Sequence, residues 1–172
     1  MSFKRMPAIA MASALGALLS APLAVADTPL TRTVTQEQIA DQLESFERDA
    51  SDMRTDLDRY ASTLRTPSSS LQLHAYNLND AKEQVNSLGL QLTALEELSP
   101  HGTEIQQAAI REARPHLEAV ADHVQTAILL YNDNQRNARL PDFREKVNGM
   151  YEHANNLYVE VDTITDGERD LS

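Results

Sequence analysis

One spacing governs this chain. From residue 39 to residue 164, apolar side chains return alternately every three and four positions, in four runs separated by short breaks. A stripe of that period stays on one side of an α-helix, where a neighbouring helix has to cover it. A strand would need strict alternation, a period of two.

The first run is Ile39, Leu43, Phe46, Ala50, Met53, Leu57, Tyr60 and Leu64. Thr35-x-x-Gln38 is read as its capping box, and Thr66-Pro67-Ser68-Ser69-Ser70 as its end. The second is Leu71, His74, Leu78, Ala81, Val85, Leu88, Leu92 and Leu95, with Ser69-x-x-Gln72 as its cap and Ser99-Pro100 as its stop. The third opens at a capping box, Thr103-x-x-Gln106, and continues through Ile110, Ala113, Leu117, Val120, Val124, Ala127 and Tyr131. Pro115 lies inside it and predicts a kink. Ile105 falls off the later stripe, which predicts a register shift near that proline. The fourth starts at Leu140-Pro141, a proline suited to a first helical turn, and carries Phe143, Val147, Met150, Ala154, Leu157, Val161 and Ile164, with Gly167 as its C-cap.

Short connectors between long helices force antiparallel neighbours. The expected fold is therefore all-α: an antiparallel up-down-up-down four-helix bundle with long helices over residues 34–167. A single long coiled coil fits less well, because three breaks fall at nearly equal intervals.

The segment before the bundle reads as an address. Lys4 and Arg5 precede a small, apolar run from Met6 to Leu19, and Ala24-Val25-Ala26 forms an A-x-A cleavage site. Residues 1–26 are thus read as a cleaved signal peptide, residues 27–33 as a flexible N-terminal tail and residues 168–172 as a flexible C-terminal tail. The expected location is periplasmic or secreted, without stable membrane insertion after cleavage. The 172-residue chain carries 15 basic and 26 acidic side chains, a formal charge of −11. Cleavage removes two basic residues and no acidic ones, so the mature charge is −13. Such an acidic chain lacks the basic footprint that nucleic acid requires.

Composition narrows the chemistry further. The chain has no Cys, which excludes disulfides, thiolate metal sites, iron–sulfur clusters, covalently attached haem and cysteine nucleophiles. It has no Glu-x-x-His and no carboxylate on the core stripes, so a ferritin-like di-iron site is not expected. Met53 and Met150 occupy core positions at similar heights, where methionine ordinarily fills gaps. No cofactor is expected. No Gly-x-Ser-x-Gly elbow presents a nucleophile, and acidic pairs such as Glu96-Glu97 and Asp56/Asp58 read as solvated helix surface. The expectation is a non-enzymatic interaction or scaffold module with an unknown protein partner.

Three features stand out from the pattern. His74 is the one strongly polar residue on its stripe, at the height of Tyr60, Tyr131 and Phe143, and is read as part of a hydrogen-bonded polar core layer of Tyr60, His74 and Tyr131. His116 and His123 lie seven apart beside the core stripe of the third helix, and His153 flanks that of the fourth. Counting from the turn between these helices puts His123 and His153 at similar height, so the alternative function is a metal-binding or metal-buffering bundle using these edge histidines. His101 belongs to a turn. Finally, Leu73, Tyr76, Ile128, Leu129, Leu130 and Leu140 give the end away from the termini an apolar surplus, either a thickened core cap or an interaction patch. Tyr151 and Tyr158 form a second stripe that a partner could touch.

The stretch Leu73-His74-Ala75-Tyr76-x-Leu78, with Val85-x-x-Leu88-Gly89, Leu130-Tyr131-Asn132-x-Asn134 and Tyr151-x-x-Ala154, resembles uncharacterised secreted helical proteins of soil acidobacteria. The resemblance covers most of the mature chain and implies a helical bundle with no known activity. Periplasmic stress chaperones with Leu-Thr-x-x-Gln repeats do not fit, since Leu92-Thr93-Ala94-Leu95-Glu96 has Glu where the repeat has Gln.

Overall fold

The computed structural model describes residues 29–65, 70–135, 138 and 140–169, with side chains described from residue 36 to residue 167 within those spans. Residues 1–26, read above as a signal peptide, and the 66–69 break lie outside the described residues. Four helices follow in order: α1 (Pro29–Thr63), α2 (Leu71–Leu98), α3 (Glu104–Asp133) and α4 (Pro141–Arg169), with a single 3-10 turn (Ser99–His101) between α2 and α3. No strand occurs among the described residues. Each helix packs on the next and α4 closes on α1, while the diagonal pair α1 and α3 barely meet. This is the four-helix bundle that the 4,3 spacing demands. The described stripe residues are buried along all four helices, except Leu71 and Ile164, which are half-buried at the ends of their stripes.

The boundaries depart from expectation for local reasons. Helix α1 begins at Pro29, so residues 29–33 are helical and not a tail, and Thr35 lies inside the helix instead of capping it. Proline suits a first turn because its missing N–H has no partner to lose there. Ser70, and not Ser69, caps α2: its hydroxyl accepts from the Leu73 N–H. Helix α4 runs to Arg169, past Gly167, which has no left-handed φ and therefore is no C-cap. Residues 168–169 belong to that helix, and residues 170–172 lie outside the described residues. Near this end Thr165 is buried and Ile164 only half-buried. The Thr165 hydroxyl lies 2.9 Å from both Glu47 Oε2 on α1 and the Val161 carbonyl, which satisfies a polar group at a core position.

Helix α3 is one element through Pro115, and the stripe keeps its register back to Gln106. No shift occurs. Gln106 is buried because it is the second half of the capping box: it accepts from the Thr103 N–H, its own N–H donates to the Thr103 hydroxyl, and its Nε2 donates to the Gln36 carbonyl of α1. A polar residue takes the core position where three backbone or cap groups need it, and Ile105 beside it stays half-buried. Gly102 lets this turn approach α1, since a Cβ there would stand 3.0 Å from Gln106 Oε1 and 3.3 Å from Ile39 Cδ1.

Candidate functional site

The closest-packed neighbours are α3 and α4, and the histidines lie along their seam. His116 and His123 are two turns apart on α3, so both face α4. The His123 and His153 rings stack with centroids 5.4 Å apart and planes 26° from parallel. His116 lies 6.3 Å from His153. The three edge histidines therefore converge, with His153 between the other two.

Gly149 makes that approach possible. It sits one turn before His153, and a Cβ built on it would be 2.6 Å from His123 Nε2 and 2.7 Å from Cε1. The His123 ring rests directly on glycine backbone. Burial, followed by the nearby His153 and Lys146, lowers the His123 pKa from 6.5, while Asp122 and Glu145 act against them. His123 is accordingly a neutral imidazole at neutral pH, the form with a lone pair to donate. The Nδ1 atoms of His123 and His153 are both buried and meet no hydrogen-bond partner among the described residues. Leaving a buried polar atom unpaired costs about 1–3 kcal/mol. Among the described residues, however, no group of three or more His, Asp or Glu side chains is arranged to hold a metal ion. The seam offers a close pair and a more distant third imidazole. His101 is exposed in the 3-10 turn, away from this seam.

The polar core layer gathers at the height expected, with different bonding. The His74 ring lies 5.9 Å from Tyr60 and 5.9 Å from Phe143, edge-on to the latter. The Tyr131 hydroxyl donates to the Leu71 carbonyl at 2.8 Å, joining α3 to the start of α2. The Tyr60 hydroxyl is buried without a hydrogen-bond partner among the described residues. Burial first, and Tyr131 second, push its pKa above the usual 10.0, so the phenol stays neutral.

The apolar end divides. Ile128 and Leu130 are half-buried and pack on the core, as a cap does. Leu73, Tyr76, Leu129 and Leu140 are exposed, Tyr76 at 68% and Leu129 at 61%. The tyrosine stripe of α4 is engaged within the bundle: Tyr151 packs on the core, and Tyr158 takes Arg54 of α1 over its ring at 4.3 Å. Openings also lie between α2 and α3. A solvent-open groove of about 380 Å³ runs past Val85, Gly89, Leu90, Leu117 and Ala121. A second, of about 200 Å³, lies nearer the apolar end and is lined by Leu78, Lys82, Ile128 and Tyr131. Arg114 bridges the rim, paired with Glu96 of α2 and Glu118 of its own helix.

Comparison with protein-family models, curated proteins and solved structures gave no match.

Two site residues escaped the sequence reading. Gly149 had a visible signal, a glycine one turn before His153 on the same side of an otherwise unbroken helix. Leu90 is 75% exposed, and its signal is equally local: a leucine between the core positions Leu88 and Leu92 must face away from both.

Proposed function

We propose that this chain is an exported, non-enzymatic helical bundle that works through its surface, as an interaction or scaffold module of the periplasm or the cell exterior. The observation that carries this reading is the open α2–α3 side. Tyr76 and Leu90 lie fourteen positions apart on α2, close to four full turns, so they share one face, and both are strongly exposed. Leu129 is exposed on the helix that forms the other wall of the grooves. Leu90 lines the larger of these grooves, while Tyr76 and Leu129 stand exposed on the two helices that wall it, and exposed apolar side chains of this size suit a protein partner that brings an apolar surface of its own. The export reading rests on the n-region, apolar run and A-x-A site of residues 1–26. No helix among the described residues is long and apolar enough to cross a membrane.

The test is site-specific photo-crosslinking in the cell envelope of the native host. A photoreactive residue placed at position 76, 90 or 129 should trap the same adduct, and one placed at the exposed Glu37 or Glu152 should trap none. Equal adducts from all five positions, or none from the first three, would overturn the reading.

A further inference from the structure

We propose that His123 and His153 form a two-imidazole site for a borderline transition-metal dication of the zinc and copper class, with His116 as a more distant third ligand. This site is on the α3–α4 seam, separate from the α2–α3 grooves, so its fate is independent of the interaction reading.

The spacing carries the argument. An imidazole ring centre stands roughly 3.2 Å from an ion it ligates at 2.0–2.1 Å, so two such rings at a tetrahedral angle have centres about 5 Å apart. The observed separation of 5.4 Å is near that value, and because the rings stack with planes 26° from parallel, each must rotate to turn a nitrogen toward a shared ion. The 6.3 Å between His116 and His153 would need the two ligands almost opposite each other, which places His116 at the margin of the same ion. An imidazole without its second proton has one basic nitrogen, and imidazole is the ligand that zinc, copper and nickel favour among the side chains of this chain.

Two further observations agree. The pair has buried Nδ1 atoms with no hydrogen-bond partner among the described residues, so no carboxylate or carbonyl has to be displaced from them. Gly149 seats His123 against α4 with backbone alone, which brings the two rings together across the helix pair. The charges around the pair are mixed: Asp122 and Glu145 favour a cation, Lys146 opposes one, and Lys146 is itself paired with Glu145. The close pair supplies two ligands, with His116 at the margin, and water takes the remaining coordination positions.

The experiment titrates the chelator-stripped chain with Cu²⁺ and, separately, Zn²⁺. One equivalent of either ion should bind with micromolar or tighter affinity. At a hundredfold excess over Kd the melting temperature should rise by roughly 5–10 °C. The Cu²⁺ complex should show electron-paramagnetic nitrogen splitting from at least two imidazoles. His123→Gln and His153→Gln should each weaken binding at least about tenfold, while His101→Gln leaves it unchanged and His116→Gln weakens it by a smaller factor. Circular dichroism of each variant establishes that the bundle still folds. Should His153→Gln fail to fold, Gly149→Ala, which pushes the His123 ring away, supplies the same disruption and should also weaken binding. Absence of binding at about 100 µM metal, or binding that survives both His123→Gln and His153→Gln, overturns the site.

Discussion

Replacing Gly149 with alanine tests the seam more sharply than any core truncation. In an exposed helix interior, glycine to alanine stabilises by about 1 kcal/mol, because the chain gives up less backbone freedom on folding. Gly89 and Gly167 meet that condition: a Cβ at either would touch nothing within 4 Å. At Gly149 the new methyl would lie 2.6 Å from His123 Nε2, where ordinary contact begins at 3.4 Å. The ring must therefore retreat by about 0.8 Å or swing out of the seam. Overpacking of this kind costs typically 1–3 kcal/mol, enough to cancel or reverse the propensity gain. The expected outcomes are a gain of about 0.5–1 kcal/mol for Gly89→Ala and a change between about zero and a loss of 2 kcal/mol for Gly149→Ala. In a His123→Ala background the obstruction is gone, and Gly149→Ala should now stabilise by about 1 kcal/mol. The resulting coupling of about 1–3 kcal/mol is read from urea denaturation of the four chains of a double-mutant cycle. Equal stabilisation by Gly149→Ala with and without His123 would refute the packing of that ring on the glycine.

Other outcomes follow from the same structure. Tyr60→Phe removes a buried hydroxyl that has no hydrogen-bond partner among the described residues, so stability at neutral pH should hold or rise by up to about 1 kcal/mol. Because the folded phenol titrates above its unfolded value of 10.0, its contribution is complete below pH 10.0 and is lost as pH rises beyond it. Melting curves at pH 9 and about 11 should show that loss in the parent and a smaller one in Tyr60→Phe. Gln106→Ala breaks the α3 cap and its bond to α1 together, and should cost about 2 kcal/mol in denaturant titration, against about 0.5 kcal/mol for the exposed Gln72→Ala. Leu129→Ser should change stability by less than about 0.5 kcal/mol, while Ile128→Ser and Leu130→Ser each cost about 1–2 kcal/mol, since only the latter two pack on the core.

The bundle was legible in the sequence because a heptad stripe has only one face to bury, and three breaks leave only antiparallel neighbours. What failed were the ends and the exceptions. Thr35 looked like a cap, yet nothing in the residues before it stops a helix, and Pro29 is well suited to start one. Ile105 looked like a register shift because an apolar side chain was assumed to outrank Gln106. The reverse holds where a glutamine satisfies a cap, a carbonyl of α1 and its own burial at once. The histidine heights were readable from counting along the α3–α4 hairpin. The closeness of His123 to His153 was not, because it depends on Gly149, and a glycine's effect is felt only across the helix pair. The apolar end could not be assigned as a unit: Leu129 points away from the core, while Ile128 and Leu130, about 100° to either side of it, reach the two flanks of the core.

The measurement closest to the central claim is a nuclear Overhauser spectrum of the metal-free chain with labelled histidine. The account predicts cross-peaks between the His123 and His153 ring protons, and between His123 and the Gly149 α-protons, alongside those joining His74 to Phe143. Cross-peaks from His74 to Phe143 with none between His123 and either α4 residue would contradict it, leaving the bundle intact but the seam without its paired imidazoles.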